Sequence, residues 1–205
     1  MIKNIIFDLG NVLLSFKPLE YLSGKISDKD KIEEIYKEIF LSEEWVMLDR
    51  GVITEEEAVS RICSRSLENS DLIKLCMENW YEILTPKKEM VQVLKNVKSK
   101  GYKTYILSNF HLLAYEDVVK RYDFFQYFDG GLISYEEKLL KPELEVYSKL
   151  IEKYKINPKE SIFIDDTECN IEAAKKFGFE AILFDNMKNL TEKLALYGIV
   201  HEVFR

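Results

Sequence analysis

Polar side chains of chemically useful types close three apolar runs in the 205-residue sequence. Asp8 closes the first run, Ser108 and Asn109 close the second, and the pair Asp165 and Asp166 closes the third. Short apolar runs of this kind are typical of strands buried on both faces. A carboxylate at the end of such a strand costs free energy unless something pairs with it, which points to a cation or another partner.

These residue types suggest phosphoryl chemistry once Lys141, in a loop before a proline, is added to the set. Strand-end carboxylates can hold a hard cation such as Mg²⁺, which prefers oxygen ligands. Ser108 and the Asn109 backbone can donate hydrogen bonds to phosphate oxygens, and Lys141 can supply a positive charge. An ionised Asp8 can attack phosphorus and form an aspartyl-phosphate.

The elements that must position these groups alternate between helix and strand after Pro86. The predicted strands comprise residues 5–7, 103–107, 132–133, 161–164 and 181–184. Parallel strands need crossover connections, so this alternation predicts an α/β fold with a parallel sheet covered by helices. In such sheets ligands bind beyond the carboxyl ends of the strands, where strand order reverses.

Residues 15–85, the helical insert, carry a different pattern. Ile32, Ile35 and Ile39 recur at helical spacing, and Thr54 with Glu57 forms a capping-box pattern. The sequence therefore predicts a small helical module inserted after the first strand. The core is then built from residues 1–14 and 86–205.

Charge and hydropathy argue against several classes of partner. The formal net charge is -7 and the pI is near 5.1, which argues against binding to nucleic acid or to an anionic membrane. No stretch approaches eighteen uninterrupted apolar residues, and the opening run is too short for a secretory signal. We therefore expect a cytoplasmic protein without a membrane span.

Cysteine and histidine usage narrows the chemistry further. Cys63, Cys76 and Cys169 show no CxxC spacing, so we expect buried thiols rather than a zinc site or disulfides. The only histidines are His111 and His201, which disfavours a histidine-based triad. His111, just past the Ser108-Asn109 turn, is a candidate for the rim of a pocket.

Four segments, in chain order, resemble the four motifs of the haloacid dehalogenase superfamily of hydrolases. They are residues 7–12, 107–109, 141–142 and 163–170. Each motif is weak alone, but together they fall in register with the predicted strand ends. The resemblance spans essentially the whole chain, because the helical insert sits where the superfamily places its small cap.

The resemblance implies a Rossmann-like core and a Mg²⁺-dependent phosphatase that acts on a small phosphorylated metabolite with Asp8 as nucleophile. It implies two binding sets: Asp8, the Gly10 carbonyl, Asp165 and Asp166 for Mg²⁺, and Ser108, Asn109 and Lys141 for phosphate. Of the aspartate pair, Asp166 is expected to bind the metal directly and Asp165 partly through water. Three residues around a turn of the insert are candidates for contact with substrate or, alternatively, for core and turn structure: Trp45, Asp49 and Arg50.

Gly10 departs from the superfamily pattern. Phosphatases of the superfamily carry a second aspartate there as general acid and base, a function worth about 10²–10⁴-fold in rate. Glycine predicts a slower enzyme, or one whose esters have good leaving groups, such as sugar-1-phosphates or aryl phosphates. The stretch 8–12 also resembles a bacterial subgroup with α-glucose-1-phosphatase and phosphatases similar to the amino-terminal domain of epoxide hydrolases.

Two alternatives follow from the same residues. A protein that lacks the second aspartate can serve as a regulator that binds a phosphorylated ligand with little or no catalysis. The dehalogenase branch of the superfamily places an aromatic residue where Gly10 stands and needs no metal. Gly10 and the intact Asp165-Asp166 pair disfavour that branch.

Overall fold

The computed structural model describes residues 1–200, and a five-stranded parallel sheet forms its centre. The strands are β1 (Asn4–Phe7), β2 (Leu14–Ser15), β3 (Thr85–Pro86), β4 (Lys103–Ser108), β5 (Gly130–Ile133), β6 (Ser161–Asp165) and β7 (Glu180–Leu183). The order in the sheet is β5-β4-β1-β6-β7, and every neighbouring pair is parallel. The α/β fold with a Rossmann-like parallel sheet is therefore confirmed.

Helices cover the sheet and form the insert. They are α1 (Pro18–Ser23), α2 (Lys29–Phe40), α3 (Glu43–Arg50), α4 (Glu55–Arg65), α5 (Ser70–Met77), α6 (Lys88–Ser99), α7 (Leu112–Arg121), α8 (Ser134–Glu137), α9 (Leu144–Tyr154), α10 (Glu168–Lys176) and α11 (Met187–Leu196). Helices α1–α5 lie between β2 and β3, which pair antiparallel. The capping box of Thr54 and Glu57 begins α4, as its spacing predicts.

The two faces of the sheet are buried in different hydrophobic clusters. Successive side chains of a strand point to opposite faces, so Ile5 and Phe7 join one cluster and Ile6 joins the other. The first cluster also contains Ile35 and Ile39 of α2. The insert and one face of the sheet therefore share a continuous core.

Strand order reverses at β1, because β4 and β5 extend to one side and β6 and β7 to the other. The carboxyl ends of β4, β1 and β6 are adjacent at this point, with Phe7 paired to Ile106 on one side and to Ile164 on the other. This register places the polar residues that close the three strands at one edge of the sheet.

Two expectations from the sequence concern the burial of the cysteines and the presence of a membrane-spanning helix. Cys63 and Cys76 are buried, but Cys169 is exposed on the first turn of α10, so the expectation of a buried thiol there is wrong. Spacing did not show which side of that turn faces solvent. Within residues 1–200, no helix is long and apolar enough to cross a membrane. His201 lies outside the described residues.

Candidate active site

Three buried polar residues meet at the switch point of the sheet. Asp8 follows β1 directly, and its backbone N–H donates to the carbonyl of Ile164 at 3.0 Å. Ser108 is the last residue of β4 and Asp165 the last of β6, and both are buried. The parallel register thus brings together carboxylates and a hydroxyl that are far apart in sequence.

Lys141 supplies the positive charge of the site. Its Nζ lies 2.8 Å from Oδ1 of Asp8 and 2.6 Å from Oδ2 of Asp165. Burial alone would lower the pKa of Lys141, but the two carboxylates outweigh it and raise that pKa, so the ammonium stays charged. The Asn109 side chain holds the Lys141 backbone at both groups, accepting from its N–H at 2.9 Å and donating to its carbonyl at 3.0 Å.

The two aspartates after β6 have different surroundings. Asp165 accepts hydrogen bonds from the Thr167 backbone N–H at 2.8 Å and from the Asn170 amide at 3.0 and 3.2 Å, besides the Lys141 ammonium. Asp166 is partly exposed and accepts from the Thr167 hydroxyl at 3.3 Å. Asp165 is therefore fixed by protein donors, whereas Asp166 retains more free acceptor capacity.

The donor set suits a hard divalent cation. One carboxylate oxygen each of Asp8, Asp165 and Asp166 lies within 4.8 Å of the others. Oxygen donors of this kind are the ligands that Mg²⁺ prefers. The Gly10 carbonyl accepts from the Val12 N–H at 2.7 Å, which leaves its second lone pair for another partner.

The charge of Asp165 contributes to a raised pKa at two neighbouring carboxyl groups. Burial raises the pKa of Asp8, the charge of Asp165 adds to this effect, and Lys141 opposes it. Burial and the charge of Asp165 also raise the pKa of Asp166. A group of acids held in this way gains from a bound positive charge, which is the electrostatic condition for a metal site.

A cavity of about 100 Å³ lies between Gly10 and Asn109, which follow two of the strand ends, and residues of the insert. Its lining is mostly aromatic and comprises Gly10, Phe16, Trp45, Asp49, Trp80, Leu84, Asn109, Phe110 and His111. Two of the three candidates in the insert, Trp45 and Asp49, are thus in its wall. Arg50 is not; it forms an ion pair with Glu143 and donates to the Lys138 carbonyl at 3.1 Å.

His111, which the sequence suggested for the rim of a pocket, lines this cavity. Its ring lies 4.3 Å from Trp45 and 5.2 Å from Trp80, measured between centroids. Its Nε2 is 3.2 Å from Oδ1 of Asp49, but neither ring nitrogen has an aligned hydrogen-bond partner among the described residues. Burial lowers the pKa of His111 to about 3, so the imidazole is neutral at pH 7.

Phe16 and Trp80 are wall residues that sequence reasoning missed. In the sequence, Trp80 continues the helical spacing of Ile73 and Cys76, so it is read as part of an apolar helix face. No sequence pattern singles out Phe16. Both side chains pack against their aromatic neighbours, with centroids 6.2 Å apart. A cavity built from four distant segments leaves no local spacing signal.

Residues 2–178 match the family model of haloacid dehalogenase-like hydrolases. The chain belongs to this family. The matched range contains the strand ends, the lysine loop and the whole insert. The superfamily resemblance of the four motifs is therefore confirmed.

Several relatives of this hydrolase are named as phosphatases. The chain is 26% identical over 197 residues to the sesquiterpene phosphatase astK of Aspergillus oryzae, covering 96% of this chain and 97% of that one. It is 24% identical over 209 residues to the D-ribitol-5-phosphate phosphatase of Bacteroides thetaiotaomicron, covering 96% and 98%. Two other curated relatives are much longer, and the hydrolase covers 19% and 36% of their lengths.

A solved structure gives the same result for the fold. The structure of a HAD family enzyme from Bacteroides thetaiotaomicron, in complex with magnesium and inorganic phosphate, superposes with a TM-score of 0.69. It is 28% identical and covers 89% of this chain and 93% of its own. The expected class, a hydrolase of this superfamily, is confirmed by the family match, and the two relatives named above are phosphatases.

Proposed function

We propose that this hydrolase is a Mg²⁺-dependent phosphatase of a small phosphorylated metabolite that works through an aspartyl-phosphate on Asp8. The observation that carries the proposal is the convergence of Asp8, Asp165 and Asp166 around the buried ammonium of Lys141. The magnesium and phosphate in the related solved structure support it.

The residues divide the work of the first step. An oxygen of the Asp8 carboxylate attacks phosphorus, and Lys141, Ser108 and the Asn109 backbone bind the phosphoryl oxygens. Mg²⁺, when bound, neutralises charge on the phosphoryl group and screens it from Asp8. Hydrolysis of the acyl-phosphate by water then regenerates Asp8.

Asp166 is proposed as the direct metal ligand of the pair. Both oxygens of Asp165 already accept bonds from Thr167, Asn170 and Lys141. The proposed role of Asp165 is to hold Lys141 and to contact the metal partly through water. The Gly10 carbonyl is proposed as a further ligand of the metal.

The helical insert is proposed to act as a cap that shields the site from bulk water. The cavity of about 100 Å³ lined by Gly10 and Asn109 is proposed to receive the alcohol part of a small phosphate ester. A phosphorylated carbohydrate is one such ester, as in the ribitol phosphate named for a relative.

One observation favours a second candidate, a regulator that binds a phosphorylated ligand without turnover. Gly10 supplies no side-chain acid where the superfamily carries one, so the core alone has lost proton transfer to the leaving group. This reading shares the phosphate site and differs only in catalysis.

A panel of phosphate esters with and without Mg²⁺ separates the two candidates. The panel contains 4-nitrophenyl phosphate and alkyl esters, including glycerol 3-phosphate and D-ribitol 5-phosphate. We expect turnover that EDTA abolishes, that Mg²⁺ restores and that Asp8→Asn removes. Lys188→Ala, at an exposed position of α11, is the matched control and retains full activity. Binding of an ester without turnover of any member of the panel would refute the phosphatase.

A further inference from the structure

Space and chemistry beside Gly10 point to a proton donor from outside the core motif. A Cβ built on Gly10 meets no atom within 4 Å, so the glycine borders open space. Gly10 and Asp49 line the same cavity, and among residues 1–200 Asp49 is the only carboxylic acid in its wall. An acid from the insert thus faces the place where the core motif lacks one.

The chain holds Asp49 firmly at this position. Asp49 lies in the last turn of α3, which ends at Gly51 in a left-handed conformation with φ of +68°. The Asp49 carbonyl accepts from the hydroxyl of Ser134, a buried residue at the start of α8. This hydroxyl in turn accepts from the Phe110 N–H at 2.9 Å, which ties the insert to the turn after β4.

The surroundings of the carboxyl favour its protonated form. Burial raises the pKa of Asp49 to about 8, and the charge of Asp8 adds to this effect while Lys141 opposes it. The other titratable group that faces it, His111, is neutral and offers no positive charge. An aspartic acid that stays neutral near pH 7 is able to donate a proton.

We propose that Asp49 is the general acid and base of the reaction and replaces the core aspartate that Gly10 lacks. The assignment rests on the proposed phosphatase function. It gives the insert a catalytic role in addition to shielding.

The proton that Asp49 donates during phosphoryl transfer to Asp8 is recovered during hydrolysis of the acyl-phosphate. As Asp8 bonds to phosphorus, the P–O bond to the alcohol breaks, and the leaving oxygen takes the proton of Asp49 to give the free alcohol. The Asp49 carboxylate then accepts a proton from the water that attacks the phosphorus of the acyl-phosphate. Phosphate departs, Asp8 returns as a carboxylate, and Asp49 is again protonated.

Leaving-group dependence tests the assignment. The 4-nitrophenolate ion is a weak base and leaves without a proton, whereas an alkoxide needs one. Hydrolysis of the acyl-phosphate is common to all esters, so the comparison uses kcat/KM, which reports only the steps up to departure of the leaving group. We therefore expect Asp49→Asn to lower kcat/KM about 10²–10⁴-fold on the alkyl ester that the native protein hydrolyses fastest, and less than about fivefold on 4-nitrophenyl phosphate. Retained turnover of the aryl ester also shows that the variant is folded.

Controls separate this inference from the proposed function. Asp71→Asn, at a fully exposed position of the insert, leaves both activities unchanged. Recovery of alkyl turnover by Gly10→Asp in the Asp49→Asn background supports proton transfer as the lost function. An equal loss on both esters, no loss on either, or a native protein limited to the aryl ester overturns the role of Asp49. A native protein without any turnover overturns the phosphatase as well.

Discussion

Replacement of Lys141 by methionine tests whether its ammonium is the central electrostatic contact of the site. Lys141 is almost fully buried between Asp8 and Asp165, and methionine fills the space of the side chain up to Cε but lacks the charged ammonium group. Removing one partner of a buried ion pair costs about 3–5 kcal/mol, because the remaining charge is left without compensation.

The structure sets the expected cost within this range. Asp165 keeps its hydrogen bonds from Thr167 and Asn170, which stabilise its charge after the substitution. Asp8 keeps a bond from the Leu9 N–H at 2.8 Å and bears most of the loss. We therefore expect the lower end of the range, about 3 kcal/mol of the free energy of unfolding.

Urea denaturation at pH 7 with EDTA present, followed by circular dichroism, measures this loss. Lys188→Met, at an exposed position, is the control and changes stability by less than about 0.5 kcal/mol. In an Asp8→Asn background, Lys141→Met costs about 1–2 kcal/mol less, because the carboxylate it would strand is absent. A loss below 1 kcal/mol, or an equal cost in both backgrounds, would refute the reasoning.

Two further predictions concern stability. Gly51→Ala places a Cβ at a φ of +68° and against a neighbouring backbone oxygen, whereas the Cβ of Gly198→Ala, at a φ of +70°, meets no atom within 4 Å. Thermal melts should therefore show that Gly198→Ala lowers the free energy of unfolding by about 1 kcal/mol and that Gly51→Ala lowers it clearly more. Burial raises the pKa of Asp129, but hydrogen bonds from Lys98, from the Thr104 backbone N–H and from Lys103 outweigh it and lower this pKa from 3.8 to about 2. Because the pKa of Asp129 is lowered in the folded state, Asp129→Asn should reduce the free energy of unfolding by about 1–2 kcal/mol at pH 7. In urea titrations this loss should fade between about pH 4 and pH 2. A loss that does not depend on pH would contradict the lowered pKa of Asp129.

The sheet and its polar edge could be predicted because their signals are local. Short apolar runs end in Asp8 and Asp165. Because the carboxyl ends of parallel strands lie at one edge of a sheet, these residues are predicted to lie close together there. Lys141 is the exception, since its loop carries no periodicity; the motif resemblance identified it.

The cavity could not be predicted, because its walls come from segments that meet only in three dimensions. The spacing of Trp80 describes a helix stripe equally well, and the aromatic contacts of His111 depend on how the insert packs. The partner of Arg50 could not be predicted either. The Asp-Arg-Gly turn is compatible with contact to substrate or with turn structure, and the structure pairs Arg50 with Glu143.

The single hydrophobic cluster that joins the insert to the sheet has a consequence for how the molecule melts. Side chains of α2, such as Ile35 and Ile39, belong to the same buried cluster as Ile5 and Phe7 of β1. Elements that share a core lose their packing together, so the insert is not a separable folding unit and the chain should unfold in one cooperative transition. Excision of residues 15–85 would then expose one face of the sheet to water rather than yield a smaller, uncapped hydrolase.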